Sequence, residues 1–199
     1  MPFKANHEPA FFFNQDGLQK PMDFMTGTGN FEFYRDEKFQ AVNLPFATGR
    51  FSLYVFVPSE KSSLKEFFSR INEETLKSWL DSFLERPGEV LIPQFKIESD
   101  WDLRPALKSL GMDGAFSEKA DFRQAFTNLS GRNYFGSVEQ EAAIEIDDKT
   151  VSSPLTQLNE GADAANTERF SLKINRPFFF LLRDNKTSAW LALGAAAEF

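Results

Sequence analysis

Few side chains in this sequence have the type and spacing that chemistry needs. The only histidine, His7, sits in a polar stretch near the amino terminus. With no second histidine and no cysteine beside it, it makes no metal site and reads as a surface residue. The adjacent acids Asp36/Glu37, Glu73/Glu74 and Asp147/Asp148 read as turn or helix-start charges, positions that favour carboxylates electrostatically. Gly27 and Gly29 in TGTG complete neither GxGxxG nor GxxxxGK[ST], so no phosphate cradle is encoded there. No G-x-S-x-G supplies a nucleophile elbow. The sequons Asn128-Leu129-Ser130 and Asn185-Lys186-Thr187 permit glycosylation without arguing for it. The expectation is a protein that is not an enzyme and uses no metal or cofactor.

One stretch stands apart for another reason. Residues 147–169 show no sustained period and are rich in Asp, Asn, Thr, Ser, Gly and Ala. A non-periodic segment of that length inside a compact domain is usually a functional loop or a linker. It lies between two strand-like runs: 138–146, with Ala143, Ile144 and Ile146, and the apolar FFFLL of 178–182, which reads as a buried strand.

The elements around the loop must hold it in place. The 199 residues suffice for one sizeable core, and 24 Phe lean the fold towards sheet, because aromatics favour pleated surfaces and bury large areas. The net charge of −7 and the absence of a Lys/Arg cluster argue against a nucleic-acid surface. Zero cysteines remove disulfides and thiol catalysis together. That fits an intracellular protein, although a domain of this size does not need disulfides to be secreted. No run approaches the roughly 18 apolar residues of a membrane span, and Met1-Pro2-Phe3-Lys4 does not open a signal peptide. No repeat and no linker divides the chain, which predicts one domain over 1–199.

In order, AFFF (10–13) is followed by Asn14-Gln15-Asp16-Gly17, a hairpin signal. TGTGN (26–30) reads as another break. FEFYRDEKF, QAVNLPF and RFSLYVFVP then form a meander, its last strand apolar on both faces and closed by Pro58. Ser62/Ser63 cap a predicted helix with the stripe Leu64, Phe67, Phe68, Ile71. A second helix over 72–84 carries Leu76, Trp79, Leu80 and Phe83, with Arg86-Pro87-Gly88 as its stop. EVLIPQFKIES is strand-like. Asp100/Asp102 open a third helix with Leu103, Leu107 and Leu110 on one face and Gly111 at its end. Residues 111–136 read as loop, anchored by Phe116 and Phe122.

With the motifs in order, the chain resembles the carboxy-terminal half of a serpin. Pro2-Phe3 is similar to the end of that family's Trp-x-x-Pro-Phe, and Asp23-Phe24-Met25 to the strand that follows it. Leu44-Pro45-Phe46 with 51–58 resembles the "LPY … M-x-I-x-LP" hairpin, and Leu76 with Trp79 the small helix pair. Pro93-Gln94-Phe95-Lys96 resembles "PKFK". Leu103, Leu107, Leu110-Gly111-Met112, Phe116 and Ala120-Asp121-Phe122 follow "L…L..LGM…F…ADF". VEQEAAIEI (138–146) resembles the strand before the reactive loop. Phe170 with Arg176-Pro177-Phe178 matches "F-x-A-D-R-P-F", and Gly194 the glycine of the last strand.

The resemblance implies an α+β, mostly antiparallel multi-sheet fold of about three helices and ten strands, lacking the amino-terminal helical half. It implies inhibition of serine (or cysteine) proteases: a bait loop is cleaved, and its first part enters the large sheet as a new strand. The hinge of that loop maps to Asp147, Asp148, Lys149, Thr150, Val151, Ser152 and Ser153. Here Lys149-Thr150 stands where the family carries Glu-Gly, and Pro154 follows. Counting from the hinge and back from Phe170 puts the reactive bond among Ala162, Asp163, Ala164 and Ala165. Small residues there suit an elastase-like protease. The resemblance further implies an extracellular place of action, a cytoplasmic one remaining open, and a complementary chain as a partner for exposed strand edges. The alternative is a non-inhibitory serpin-like binding or structural module, or an inactive truncated form.

Overall fold

The computed structural model describes residues 3–46, 48–124, 133–149 and 169–199 of the chain. Among them are ten strands and three α-helices, the content the resemblance implies. They divide into two compact units, 1–95 with 146–199, and 96–145.

The first unit is built on one eight-stranded sheet. β1 (Lys4–Phe13) and β2 (Gln19–Arg35) form the first hairpin. Its turn ends on Gly17 at φ +85°, a conformation that glycine adopts without cost. β3 (Phe39–Pro45), β4 (Phe51–Pro58), β5 (Leu84–Pro93), β8 (Phe170–Lys173), β9 (Phe178–Asp184) and β10 (Trp190–Ala196) complete it. The order is β10-β9-β4-β3-β2-β5-β8, with β1 on a further edge of β2. All the pairings are antiparallel except β5 with β8.

Two sequence expectations are corrected here. TGTGN does not break the chain: β2 runs through it, and its ladder with β5 is continuous from Phe24↔Pro93 to Phe33↔Leu84. The glycines serve packing instead. A Cβ on Gly27 would lie 2.5 Å from the Phe3 ring, so only glycine lets that ring settle on the strand. Nor do Arg86-Pro87-Gly88 end a helix, for they pair within β5 with Phe31, Asn30 and Gly29. The second helix, α2 (Glu73–Leu80), ends sooner, and Leu84 already belongs to the sheet.

β4 is buried from Ser52 to Pro58, on both faces as its composition requires. One face meets α1 (Leu64–Arg70) and α2 through Phe39, Tyr54, Phe56, Phe67, Trp79, Phe179 and Leu181. Edge-to-face contacts such as Phe39–Trp79, with centroids 4.8 Å apart, fill it. Both helices are capped, the first by a serine as predicted. Ser63 Oγ accepts from the Glu66 N–H at 3.2 Å, and Asn72 with Thr75 forms a capping box. Arg70 lies over Phe39 and Trp79 at 5.9 and 5.6 Å, closing this layer with a cation–π contact. The other face buries Val42, Leu44, Leu53, Val55, Phe178 and Phe180, and the same unit buries Phe12, Phe24, Phe31, Val90, Ile92 and Phe95.

In the second unit β6 (Phe95–Asp102) pairs with β7 (Glu139–Ile146). α3 (Arg104–Leu107) then widens into a π-helical turn over Lys108–Met112, which closes on Gly111 at φ +92°. The predicted stripe is present but uncovered. α3 buries no residue, and Leu110 is 79 % exposed. Phe116 and Phe122 act as anchors, with ring centroids 6.1 and 4.9 Å from that of Phe135.

Candidate reactive loop and its anchors

The loop of interest leaves the described structure just after β7 and returns just before β8. At the departing end Ile146 is buried (1 % exposed) and fixes the last residue of the strand. Asp147 and Asp148 are half-buried, and Lys149 turns outwards. The Lys149 N–H donates to Asp147 Oδ1 at 3.0 Å, a local turn in which an aspartate side chain replaces a backbone partner. Thr150, Val151, Ser152 and Ser153 of the predicted hinge lie outside the described residues, as do Ala162, Asp163, Ala164 and Ala165.

At the returning end the anchoring is dense. Phe170 pairs with Gly88 at the start of a parallel ladder that runs to Leu91↔Lys173, and the Ile174 N–H extends it to the Leu91 carbonyl at 2.8 Å. The Phe170 ring stacks on Phe33 with centroids 4.0 Å apart and meets Phe31 edge-on at 6.1 Å. It also lies directly over Gly88, where any Cβ would overlap it. Leu172 and Ile174 are buried. Arg176 then pairs with Glu60 at 3.4 Å, and Pro177 leads into β9. The sequence pointed to Phe170 and Arg176-Pro177-Phe178. It did not point to Gly88, whose use becomes visible only once β5 and β8 are neighbours.

Among the described residues the shifted carboxylates are explained by their ion-pair and hydrogen-bond partners. The lowered carboxylates are held by local guanidinium or ammonium partners. Asp121 drops to about 2 beside Arg123, and Asp184 is lowered by Arg50, with burial opposing and backbone N–H groups assisting. Burial raises Tyr54, opposed by a hydrogen bond from Arg183. Among the described residues no three His, Cys, Asp or Glu side chains gather to hold a metal. No described helix is long and apolar enough to cross a membrane.

β7 and β8, the latter pinned parallel to β5 at the edge of the sheet, therefore flank residues 150–168, which lie outside the described residues. The family model for serpins, serine protease inhibitors, matches residues 1–198. The chain belongs to the serpin family. Serpin B10 of Plecturocebus moloch is 30% identical over 97% of this chain, and Iripin-3 of Ixodes ricinus 26% identical over 96%. The aligned part is 47% and 49% of those proteins, so the chain spans about half the length of these relatives. The native thermophilic serpin tengpin superposes with a TM-score of 0.84 at 22% identity, over all of this chain and 52% of its own. That likeness shows the serpin fold, in its α+β form and incomplete relative to the whole. Serpins are typically protease inhibitors and generally not catalysts, so a target protease is their kind of partner.

Proposed function

We propose that this serpin chain inhibits a serine protease, possessing no catalytic activity of its own, by offering residues 147–169 as an extracellular bait. The protease attacks within Ala162, Asp163, Ala164 and Ala165, whose small side chains fit an elastase-like pocket. The segment headed by Asp147, Asp148, Lys149, Thr150, Val151, Ser152 and Ser153 then adds to the sheet as a strand. Stored free energy of the uncleaved state drives that step. The observation that supports this most is the Phe170 anchor. A cut before Arg169 leaves the carboxy-terminal product clamped on β5, so the chain separates on the hinge side alone. The exposed edges are suited to a complementary chain.

Incubation with elastase tests the proposal. An SDS-stable covalent complex and a higher melting temperature after cleavage support it. Simple nicking with no complex and no change in melting overturns it.

A second reading, a non-inhibitory binding or structural module, is favoured by one observation: the Asp147–Lys149 turn closes the hinge on itself. A strand requires that local bond to open.

A further inference from the structure

Five of the ten arginines are matched to carboxylates: Arg50 to Asp184, Arg70 to Asp36, Arg104 to Asp102, Arg123 to Asp121 and Arg176 to Glu60. Three others gather in one place. Arg35, Arg86 and Arg169 line one cavity of about 340 Å³, and no carboxylate shares its walls. In a chain of net charge −7, gathering three guanidinium groups without an acid works against electrostatics, since their mutual repulsion is uncompensated.

The ladder shows how they converge. Phe33 lies opposite Leu84 and Phe31 opposite Arg86, so each pair shares a face. By strand alternation Arg35 takes the same face as Phe33. Phe170, paired with Gly88, stacks its ring on Phe33. Arg169 immediately precedes it and is exposed. The result is an aromatic floor of Phe33 and Phe170, rimmed by guanidinium groups from three separate strands or strand ends. A guanidinium fork matches the oxygens of sulfate or phosphate, and stacked rings take a flat apolar body.

We propose that this cavity binds a small aromatic ligand carrying a sulfate or phosphate ester, the ring lying on Phe33/Phe170 and the oxyanion held by Arg35, Arg86 and Arg169. The cavity lies at the lower end of the usual range for small-molecule sites, enough for a ligand of one or two rings.

Isothermal titration of the whole chain with 2-naphthyl sulfate and with 2-naphthyl phosphate tests this and separates the two oxyanions. Binding at 1:1 is expected, weaker by about tenfold or more in Arg86→Ala and in Arg35→Ala, a loss corresponding to about 1.4 kcal/mol. 2-Naphthol and inorganic sulfate should each bind about tenfold more weakly than the ester that joins them, and added NaCl should weaken the esters. Arg35 is exposed, so its variant keeps the test alive if Arg86→Ala fails to fold. No binding of either ester overturns the proposal. So does equal binding by the variants, equal binding of 2-naphthol, or binding of a heparin oligosaccharide without the monomeric esters.

Discussion

The Phe170 ring lies parallel to Phe33 within 10°, their centroids 4.0 Å apart, and covers Gly88 on the neighbouring strand. The contact joins residues far apart in sequence and marks where the chain re-enters the sheet after residues 150–168. Phe170→Ala removes a partly buried ring and opens a void between β5 and β8. The expected loss is about 3 kcal/mol, the low end for Phe→Ala in a core. Chemical denaturation measures it. The same variant should make β8 a better protease substrate, because the short parallel ladder keeps fewer contacts.

Gly194 has the matching position near the opposite edge of the sheet. It pairs with Phe180, and a Cβ there would run into the Phe180 ring. Phe180 is 3 % exposed and has no free direction to move. Gly194→Ala is therefore expected to destabilise by about 1–3 kcal/mol through overpacking. Gly114, with open space around its Cβ position, is the control: Gly114→Ala should change the melting temperature far less.

Arg50 and Asp184 tie β4 to β9 across 134 residues, with Arg50 Nη2 donating to Asp184 Oδ2 at 3.0 Å and the Lys186 N–H to Oδ1 at 2.9 Å. The Arg50 bond first, then backbone N–H groups, hold this carboxyl below its ordinary 3.8, although burial opposes them. A depressed folded-state value means the stabilisation is present above 3.8 and is lost as pH falls through the lower, folded value. Asp184→Asn should lower the melting temperature above that pH, and the difference from wild type should shrink below it. Asp121, although it lies near 2, should contribute little: its partner Arg123 is two residues away, and such a pair persists in the unfolded chain.

Much of this fold is legible in the sequence because local signals agree with it. The Ser63 and Asn72 caps, the turn at Gly17 and the two-faced β4 each follow from side chains within a few residues. The errors share one cause. TGTGN and Arg86-Pro87-Gly88 carry breaker residues, yet both are strand, because Phe3 and Phe170 arrive from distant segments to cover Gly27 and Gly88. Local propensity cannot register a ring that comes from 82 residues away, as Phe170 does to Gly88. The candidate site divides the same way. Phe170 and the Asp147–Lys149 end stand out by motif order. The arginine-rimmed cavity needs Arg35, Arg86 and Arg169 from three elements, and no sequence window contains it.

The hinge gives the sharpest test of the inhibitory reading. A strand entering a sheet must offer an N–H at alternate positions to each neighbour, and Pro154 has none to give. Lys149 enters this competition already bonded to Asp147. Pro154→Ala restores one ladder hydrogen bond, a net gain of about 1 kcal/mol for the inserted state. For a chain of this size that is about 2–4 °C in melting temperature. After cleavage by elastase, Pro154→Ala should melt higher than the cleaved wild type by that amount, while the uncleaved proteins differ less. Differential scanning calorimetry of the four samples reads both differences. If cleavage leaves wild type and variant melting where they did before, the loop does not enter the sheet and the non-inhibitory reading stands.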